Sequence, residues 1–406
     1  MDRLEHILSL VRNAGETLAR CIGSSFQIDT LDRESLVSMR SIAIFIRTLR
    51  SGGGAQRAMV RFATGLHRRG YAVTVLTLLP GDAFATELDP AIPVVRIGGG
   101  RLLRAVSGLA TWLRRNPVDT LFTTEPACNV VAALAGRLSR TGVRVVLREG
   151  LFPSVARRDS PYAATRFAYR LAPLAYPRAD AIIAIAKDMA ADLANVAKLA
   201  PERITTIAVN PVVTPHLLHA ATQEPSHAWL SDGGSPIILG VGRLEMQKDF
   251  GTLIRAFARL RATRPCRLVI FGEGSERARL EAAVAESGYA DDIALPGHLP
   301  QPFAAMRCCD VFVLSSRYEG LPNVLVEAIA CGAPVVAADC PSGPTDVLED
   351  GQYGPLVPVG DDQVMMAAIA KVLDNPPDRE RLKERGLDFT VDRSLDRYLP
   401  VLFPAA

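Results

Sequence analysis

Two glutamates, Glu319 and Glu327, stand eight positions apart around Gly320-Leu321-Pro322-Asn323-Val324-Leu325. Pro322 suits a first helical turn, so Glu319 precedes a helix and Glu327 lies within it. Carboxylates accept paired hydrogen bonds from vicinal hydroxyls, the pattern offered by a sugar ring or a ribose. The N–H groups of Val324 and Leu325 fall where a helix start attracts phosphate. Taken singly, Glu327 fits a capping or surface role equally well. A second cluster, Gly242-Arg243-Leu244-Glu245-Met246-Gln247-Lys248-Asp249-Phe250, follows a strand and opens a helix. Arg243 and Lys248 add two cations to an anion-friendly helix terminus. They would stabilise negative charge developing on a departing diphosphate. Alone, they read as solvated surface cations. A third, Phe271-Gly272-Glu273-Gly274, is a G-x-G turn whose default reading is a plain turn. The fourth, Asp339 to Asp346 with Gly354-Pro355-Leu356-Val357-Pro358, either lines a site or shapes a loop.

These residues need elements to hold them. Residues 42–46 form a short apolar run read as a buried strand. A Gly-rich loop at 51–54 follows, then a helical pattern over 55–68 with Met59, Phe62, Ala63 and Leu66 on one face, then a β-branched run over 72–78. Strand, loop, helix, strand is one βαβ unit and implies a parallel sheet. Strands near 94–97, 119–123, 143–147 and 181–185 continue it, with helices over 102–115 and 127–139. Residues 210–236 have a Pro- and Gly-rich linker composition. A second series follows, with strands at 237–241, 267–271, 293–295, 311–314 and 334–337 and helices near 249–262, 275–287, 322–331 and 361–374. The fold class is therefore α/β, two doubly wound halves, whose ligands belong at the carboxyl ends of the strands in the cleft between them.

The 406 residues have room for two or three domains. No window reaches the ~18 uninterrupted apolar residues of a membrane span, and the charged N-terminus is not a signal peptide. A cytoplasmic protein is expected. The seven cysteines show neither C-x-x-C pairing nor zinc spacing and read as reduced buried thiols. No D-x-D motif is present to hold a metal against a diphosphate. Charge is uneven: residues 40–170 carry a net +13, all of the cations being Arg, and residues 171–406 a net −8. The basic half would suit an anionic partner. Residues 101–115 read as a basic amphipathic helix, and 157–178 mix Arg with Tyr162, Phe167, Tyr169 and Tyr176. Both suit peripheral contact with the inner face of an anionic membrane; both also fit ordinary helices with solvated arginines. Residues 1–38 form an extension with amphipathic helical spacing, and Met39, just before the first strand, is a candidate true start.

In order and spacing, G-R-L-x-x-x-K-D-F, G-E-G-S and E-x7-E resemble glycosyltransferase family 4, retaining enzymes of the GT-B fold. The resemblance covers nearly everything from residue 40 onward. It implies that Arg243 and Lys248 bind the donor diphosphate, that Glu319 contacts the transferred sugar and that Glu327 contacts the ribose. With Arg243, Lys248 and Glu319 as the catalytic set, donor binding would extend to Gly53, Gly54, Gly242, Gly272, Gly274, Gly320, Asn323, Val324, Leu325 and Glu327. Two departures stand out. Gln56 replaces the Glu of the family's G-G-A-E-R loop at Gly53-Gly54-Ala55-Gln56-Arg57. The loop after 143–147, where many members carry a His, reads Leu147-Arg148-Glu149-Gly150, so Arg148 or Glu149 would serve on the acceptor side, or this branch does without.

The resemblance implies a 39–211 acceptor-binding domain, a 212–387 nucleotide-sugar-binding domain and a 388–406 segment returning to the first. The expected reaction is hexosyl transfer, with retention, from a nucleotide-sugar to a glycan or lipid-linked acceptor in bacterial cell-surface polysaccharide synthesis. UDP is the default base. No cofactor, metal or nucleic acid is expected. A sugar-nucleotide epimerase is close in fold but should lack E-x7-E. A nicotinamide-dependent oxidoreductase needs G-x-G-x-x-G after the first strand, which 51–56 matches poorly.

Overall fold

The computed structural model describes residues 40–49, 54–81, 87–98, 102–160 and 162–405. The amphipathic pattern over 1–38, the Met39 start, Gly53 and Arg101 lie outside them. The first half runs β1 (Ser41–Ile46), α1 (Gly54–Arg68), β2 (Ala72–Thr77), β3 (Val94–Arg96), α2 (Leu102–Arg115), β4 (Thr120–Thr124), α3 (Pro126–Ser139), β5 (Arg144–Glu149), α4 (Pro153–Asp159), α5 (Ala163–Ala175), β6 (Ala181–Ala184), α6 (Lys187–Ala197) and β7 (Ile204–Thr206). Its seven strands are parallel, in the order β3-β2-β1-β4-β5-β6-β7. Ile42 to Ile46 are all buried, as expected of a strand covered on both faces. Alternation sorts the strands' side chains. Ile42, Ile44 and Ile46 meet Met59, Phe62, Ala63 and Leu66 of α1. Ala43 and Phe45 meet the layer built from α2, α3 and α5.

The short strand β7 and the helix α6 are absent from the sequence reading, and the region 157–178, read there as one helical stretch, is divided between α4 and α5. Ile204-Thr205-Thr206 is too short to show a period, and only its pairing with β6 makes it a strand. The stretch read as a linker also holds a helix, α7 (Pro215–Ala221). Thr214 starts it by accepting the Leu217 N–H.

The second half runs β8 (Ile237–Val241), α8 (Phe250–Arg261), β9 (Arg267–Phe271), α9 (Arg277–Glu286), β10 (Ile293–Gly297), α10 (Phe303–Cys308), β11 (Val311–Leu314), α11 (Asn323–Ala330), β12 (Val335–Ala338), α12 (Pro344–Val347), β13 (Leu356–Val357), α13 (Asp362–Asp374) and α14 (Arg379–Gly386). Its six strands are parallel, in the order β10-β9-β8-β11-β12-β13. The last helix, α15 (Val391–Leu402), packs on the first half. Tyr398 lies against Phe62 and Phe122, and Arg69 pairs with Asp392 and Asp396. The two chain crossings run side by side, since Val212 and Val213 both donate to the Phe389 carbonyl. Two Rossmann-like sheets thus face one another, joined by a double crossing.

Candidate functional site

The 242–249 loop leaves β8 and is pinned by its neighbour. Gly242 donates to the Phe271 carbonyl and Leu244 to that of Glu273. A Cβ on Gly272 would collide with the Gly242 carbonyl oxygen, and one on Gly274 with that of Leu244. The G-x-G turn is therefore more than a turn: its glycines let two backbones touch. Lys248 then lies along Gly242, where a Cβ would sit 3.3 Å from Lys248 Cε. Its Nζ is 2.6 Å from Glu319 Oε1, with both side chains largely buried. Ser316 also donates to that oxygen at 2.6 Å, and Ser315 holds the Lys248 carbonyl. A buried cation and anion so close satisfy one another, and losing either would strand its partner. Arg243 is exposed at the loop's rim.

Glu319 leads directly into the contact between the halves. A Cβ on Gly320 would collide with the carbonyl oxygen of Gly150. Asn323, in the first turn of α11, accepts from Asn210 at 3.0 Å, and a Cβ on Gly54 would stand 2.7 Å from its Nδ2. The first turns of α1 and α11 therefore abut, two helix starts at one place, which suits an anion. One expectation needs correcting. The Leu325 N–H closes onto the Pro322 carbonyl at 2.9 Å, so it is not free to meet a phosphate, and the Leu325 side chain is core. Val324 lies in the same first turn. Glu327 is half-buried, and burial pushes its carboxyl up to about 7, against the pull of Arg61, Arg57 and Lys248.

Arg148 and Glu149 do not face an acceptor. Arg148 is 1% exposed and donates to Tyr398, Thr124 and Asn210. Glu149 is fully buried, and its carboxylate accepts from Tyr169, Tyr176 and the Gly150 and Leu151 N–H groups. Its carboxyl is raised by burial, which those donors oppose. Both side chains brace the end of β5. The fourth cluster shapes a loop: Ser342 donates to the Gly320 carbonyl and, through its N–H, to Asp188, while Asp346 accepts from the Lys187 N–H.

Sequence reasoning missed Glu125. It follows β4, at φ 74° and ψ 131°, where a non-glycine residue costs roughly 1–3 kcal/mol. Gln56 donates to its Oε1, and Cys128 Sγ lies 3.9 Å from its Oε2. Burial raises its carboxyl to about 7, opposed by the charge and backbone of Arg47. The available signal was an acidic residue set between a strand's end and a proline. Among the described residues, no group of three or more His, Cys, Asp or Glu is gathered as for a metal. None of the described helices is long and apolar enough to cross a membrane.

Comparison with known proteins follows the same division. The family model "Glycosyltransferase Family 4" matches residues 52–208, and "Glycosyl transferases group 1" matches 222–389. The chain is 30% identical over 269 residues to the N-acetylgalactosamine-N,N'-diacetylbacillosaminyl-diphospho-undecaprenol 4-alpha-N-acetylgalactosaminyltransferase of Campylobacter jejuni, covering 66% of this chain and 71% of that one. It is 31% identical over 394 residues to the D-inositol 3-phosphate glycosyltransferase of Stackebrandtia nassauensis, covering 88% and 87%. Among solved structures, the lipopolysaccharide outer core galactosyltransferase WaaB superposes with a TM-score of 0.72 at 17% identity, over 89% of this chain and 99% of that one. Anabaena HepE in complex with UDP gives 0.70 at 19% identity, over 90% and 99%.

Proposed function

Because the chain belongs to the glycosyltransferases that join a family 4 domain to a group 1 domain in the GT-B fold, we propose how it uses that fold. It moves a hexosyl group, with retention, from a UDP-sugar to a hydroxyl of a glycan or lipid-linked acceptor in cell-surface polysaccharide synthesis. The observation that carries this is the buried Lys248–Glu319 pair, set beside the Gly242 and Gly272 loops. With donor bound, Lys248 and Arg243 hold the diphosphate. The carbon–oxygen bond to the leaving phosphate breaks with its electron pair, and the two cations stabilise that charge. Glu319 accepts hydrogen bonds from hydroxyls of the transferred sugar, and Glu327 from the ribose. The two halves bring the substrates together and hold the acceptor on the face of the sugar from which the diphosphate departs. The diphospho-undecaprenol in the name of the Campylobacter relative and the UDP bound to HepE support this reading.

A thermal-shift screen against UDP, GDP, ADP and their sugars, with and without magnesium, tests the donor half. A ligand at 100 times its dissociation constant stabilises by about 2.7 kcal/mol. We expect a magnesium-independent shift with UDP that vanishes in Glu327→Ala. No shift with any nucleotide would refute the reading.

The acceptor half is read as lying on the cytoplasmic face of the membrane. Leu103 is 82% exposed, and Phe167 and Leu174 are exposed beside Arg104, Arg170 and Arg178 on the α2–α3–α5 layer. Cations near an anionic leaflet contribute about 1 kcal/mol each. Flotation with anionic liposomes should show salt-sensitive binding that Phe167→Ser with Leu174→Ser weakens. Binding unaffected by salt or lipid charge would argue against it.

A further inference from the structure

Glu125 occupies a defined place in the topology. The first sheet winds outward in opposite directions from β1 and β4, which lie side by side. The crevice beyond the carboxyl ends of two such strands is where open α/β sheets bind ligands. On one side of it stand Arg47, just beyond β1, and the first turn of α1; on the other is Glu125, the first residue beyond β4. The second sheet repeats the arrangement with β8 and β11. There the walls are the Gly242 loop and the segment carrying Glu319. Glu125 is thus the first half's counterpart of a residue placed on the donor sugar.

Three further observations mark it as more than structural. It stands at the start of α3, where a carboxylate would ordinarily cap the free N–H groups, yet its side chain caps none of them. Its backbone is held at a positive φ suited to glycine, and such strain collects at functional positions. Its side chain is turned instead to Gln56, in the first turn of α1. That same turn abuts Asn323 at the start of α11. Glu125 as a residue is half-buried and is not sealed in the core.

We propose that Glu125 binds the acceptor: its carboxylate accepts the hydrogen bond of the hydroxyl that attacks the donor sugar. This rests on the glycosyl-transfer reading above. The acceptor oxygen forms the new bond to the sugar carbon as the bond to the diphosphate breaks. The hydroxyl proton passes to an oxygen of the departing phosphate. Glu125 aims the attacking oxygen and keeps no proton. Without an acceptor, a water molecule takes the same place and the donor is slowly hydrolysed. Among the described residues, the groups facing the carboxylate are Arg47 from the end of β1, Gln56 from α1 and Cys128 from α3. Because burial raises the carboxyl to about 7, the accepting, ionised form fills in as pH rises through that value.

The test measures release of nucleoside diphosphate from a panel of UDP-, GDP- and ADP-hexoses in water, between pH 5.5 and 8.5. It is paired with the nucleotide-induced melting shift. Wild-type turnover should rise through pH 7. Glu125→Gln should lower turnover by about 10- to 100-fold, the span of a hydrogen bond to a charged group. It should also remove the pH limb that Glu125 supplies while the nucleotide shift stays. Glu327 titrates in the same range and remains in both proteins. Glu125→Gly, which frees the positive φ, should melt no lower than wild type and still lose turnover. Either variant turning over like wild type overturns the proposal. So does wild-type turnover that does not rise through pH 7 although nucleotide binds. Failure of wild type to bind any nucleotide overturns the transferase reading itself, and this one with it.

Discussion

The two halves share one strand order out from the centre, 3-2-1-4-5 in the first and 10-9-8-11-12 in the second, yet they arm the same crevice differently. In the second, the carboxylate beyond the central strands comes with its own cation, Lys248 against Glu319 at 2.6 Å. In the first, Glu125 takes its side-chain hydrogen bond from an amide, Gln56, and burial outweighs the Arg47 charge to leave its carboxyl near 7. On the proposed reading, the matched pair serves a substrate carrying both charge and hydroxyls. A carboxylate on an amide is set up for neutral hydroxyls and changes charge near neutrality. The scaffold is common, and the chemistry lives in what the loops attach to it.

The largest expected effect breaks the matched pair. Lys248→Ala should lower turnover on the order of 100-fold, as removal of an oxyanion donor does, with the fold intact by circular dichroism. Near-normal turnover would remove Lys248 from the reaction.

Next, the glycine contacts can be set against each other. Gly272→Ala in the second half drives a methyl into the Gly242 carbonyl and should cost about 1–3 kcal/mol in urea unfolding. Gly98→Ala in the first half meets nothing within 4 Å and should stay within about 0.5 kcal/mol. Equal costs would mean that the two loops of the second half are not locked together.

Third comes pH. The Glu327 carboxyl lies near 7 when folded, above the ordinary 4.5, so its neutral form favours the folded state. Its contribution is complete below pH 4.5 and is lost as pH rises through 7. Allowing for its partial exposure, that is about 2 kcal/mol. Urea midpoints for the nucleotide-free protein should fall across this window and fall less in Glu327→Gln. A parallel pair of curves would contradict the assignment.

The smallest effect concerns the first half's bracing. Tyr398→Phe keeps the packing on Phe62 and Phe122 but loses the hydroxyl that accepts from Arg148, and should cost about 1 kcal/mol.

Much of this was legible before any coordinates. Continuous apolar runs such as Ile42–Ile46 and Leu268–Phe271 suited strands covered on both faces, and their alternation with amphipathic helices implied parallel winding. The E-x7-E spacing and the G-R-L-x-x-x-K segment pointed to one site because their residue types stand close together in sequence, and the structure brings Lys248 to Glu319. Arg148 and Glu149 misled because charge at a strand's end looks the same whether it faces a cleft or, as here, is buried under tyrosines. Glu125 went unseen because nothing local distinguishes a carboxylate that caps its helix from one that turns away.

The sequence by itself determined most of the alternating strands and helices, the two-half architecture and the residue types at the glycine loops, since periodicity and turn chemistry act over a few residues. Only the tertiary structure decided which side chains meet: Lys248 with Glu319 across 71 positions, Arg148 with Tyr398 across 250, Gln56 with Glu125 across 69. Those pairings depend on strand order and on backbones close enough to exclude a Cβ, and neither is carried by any stretch of chain alone.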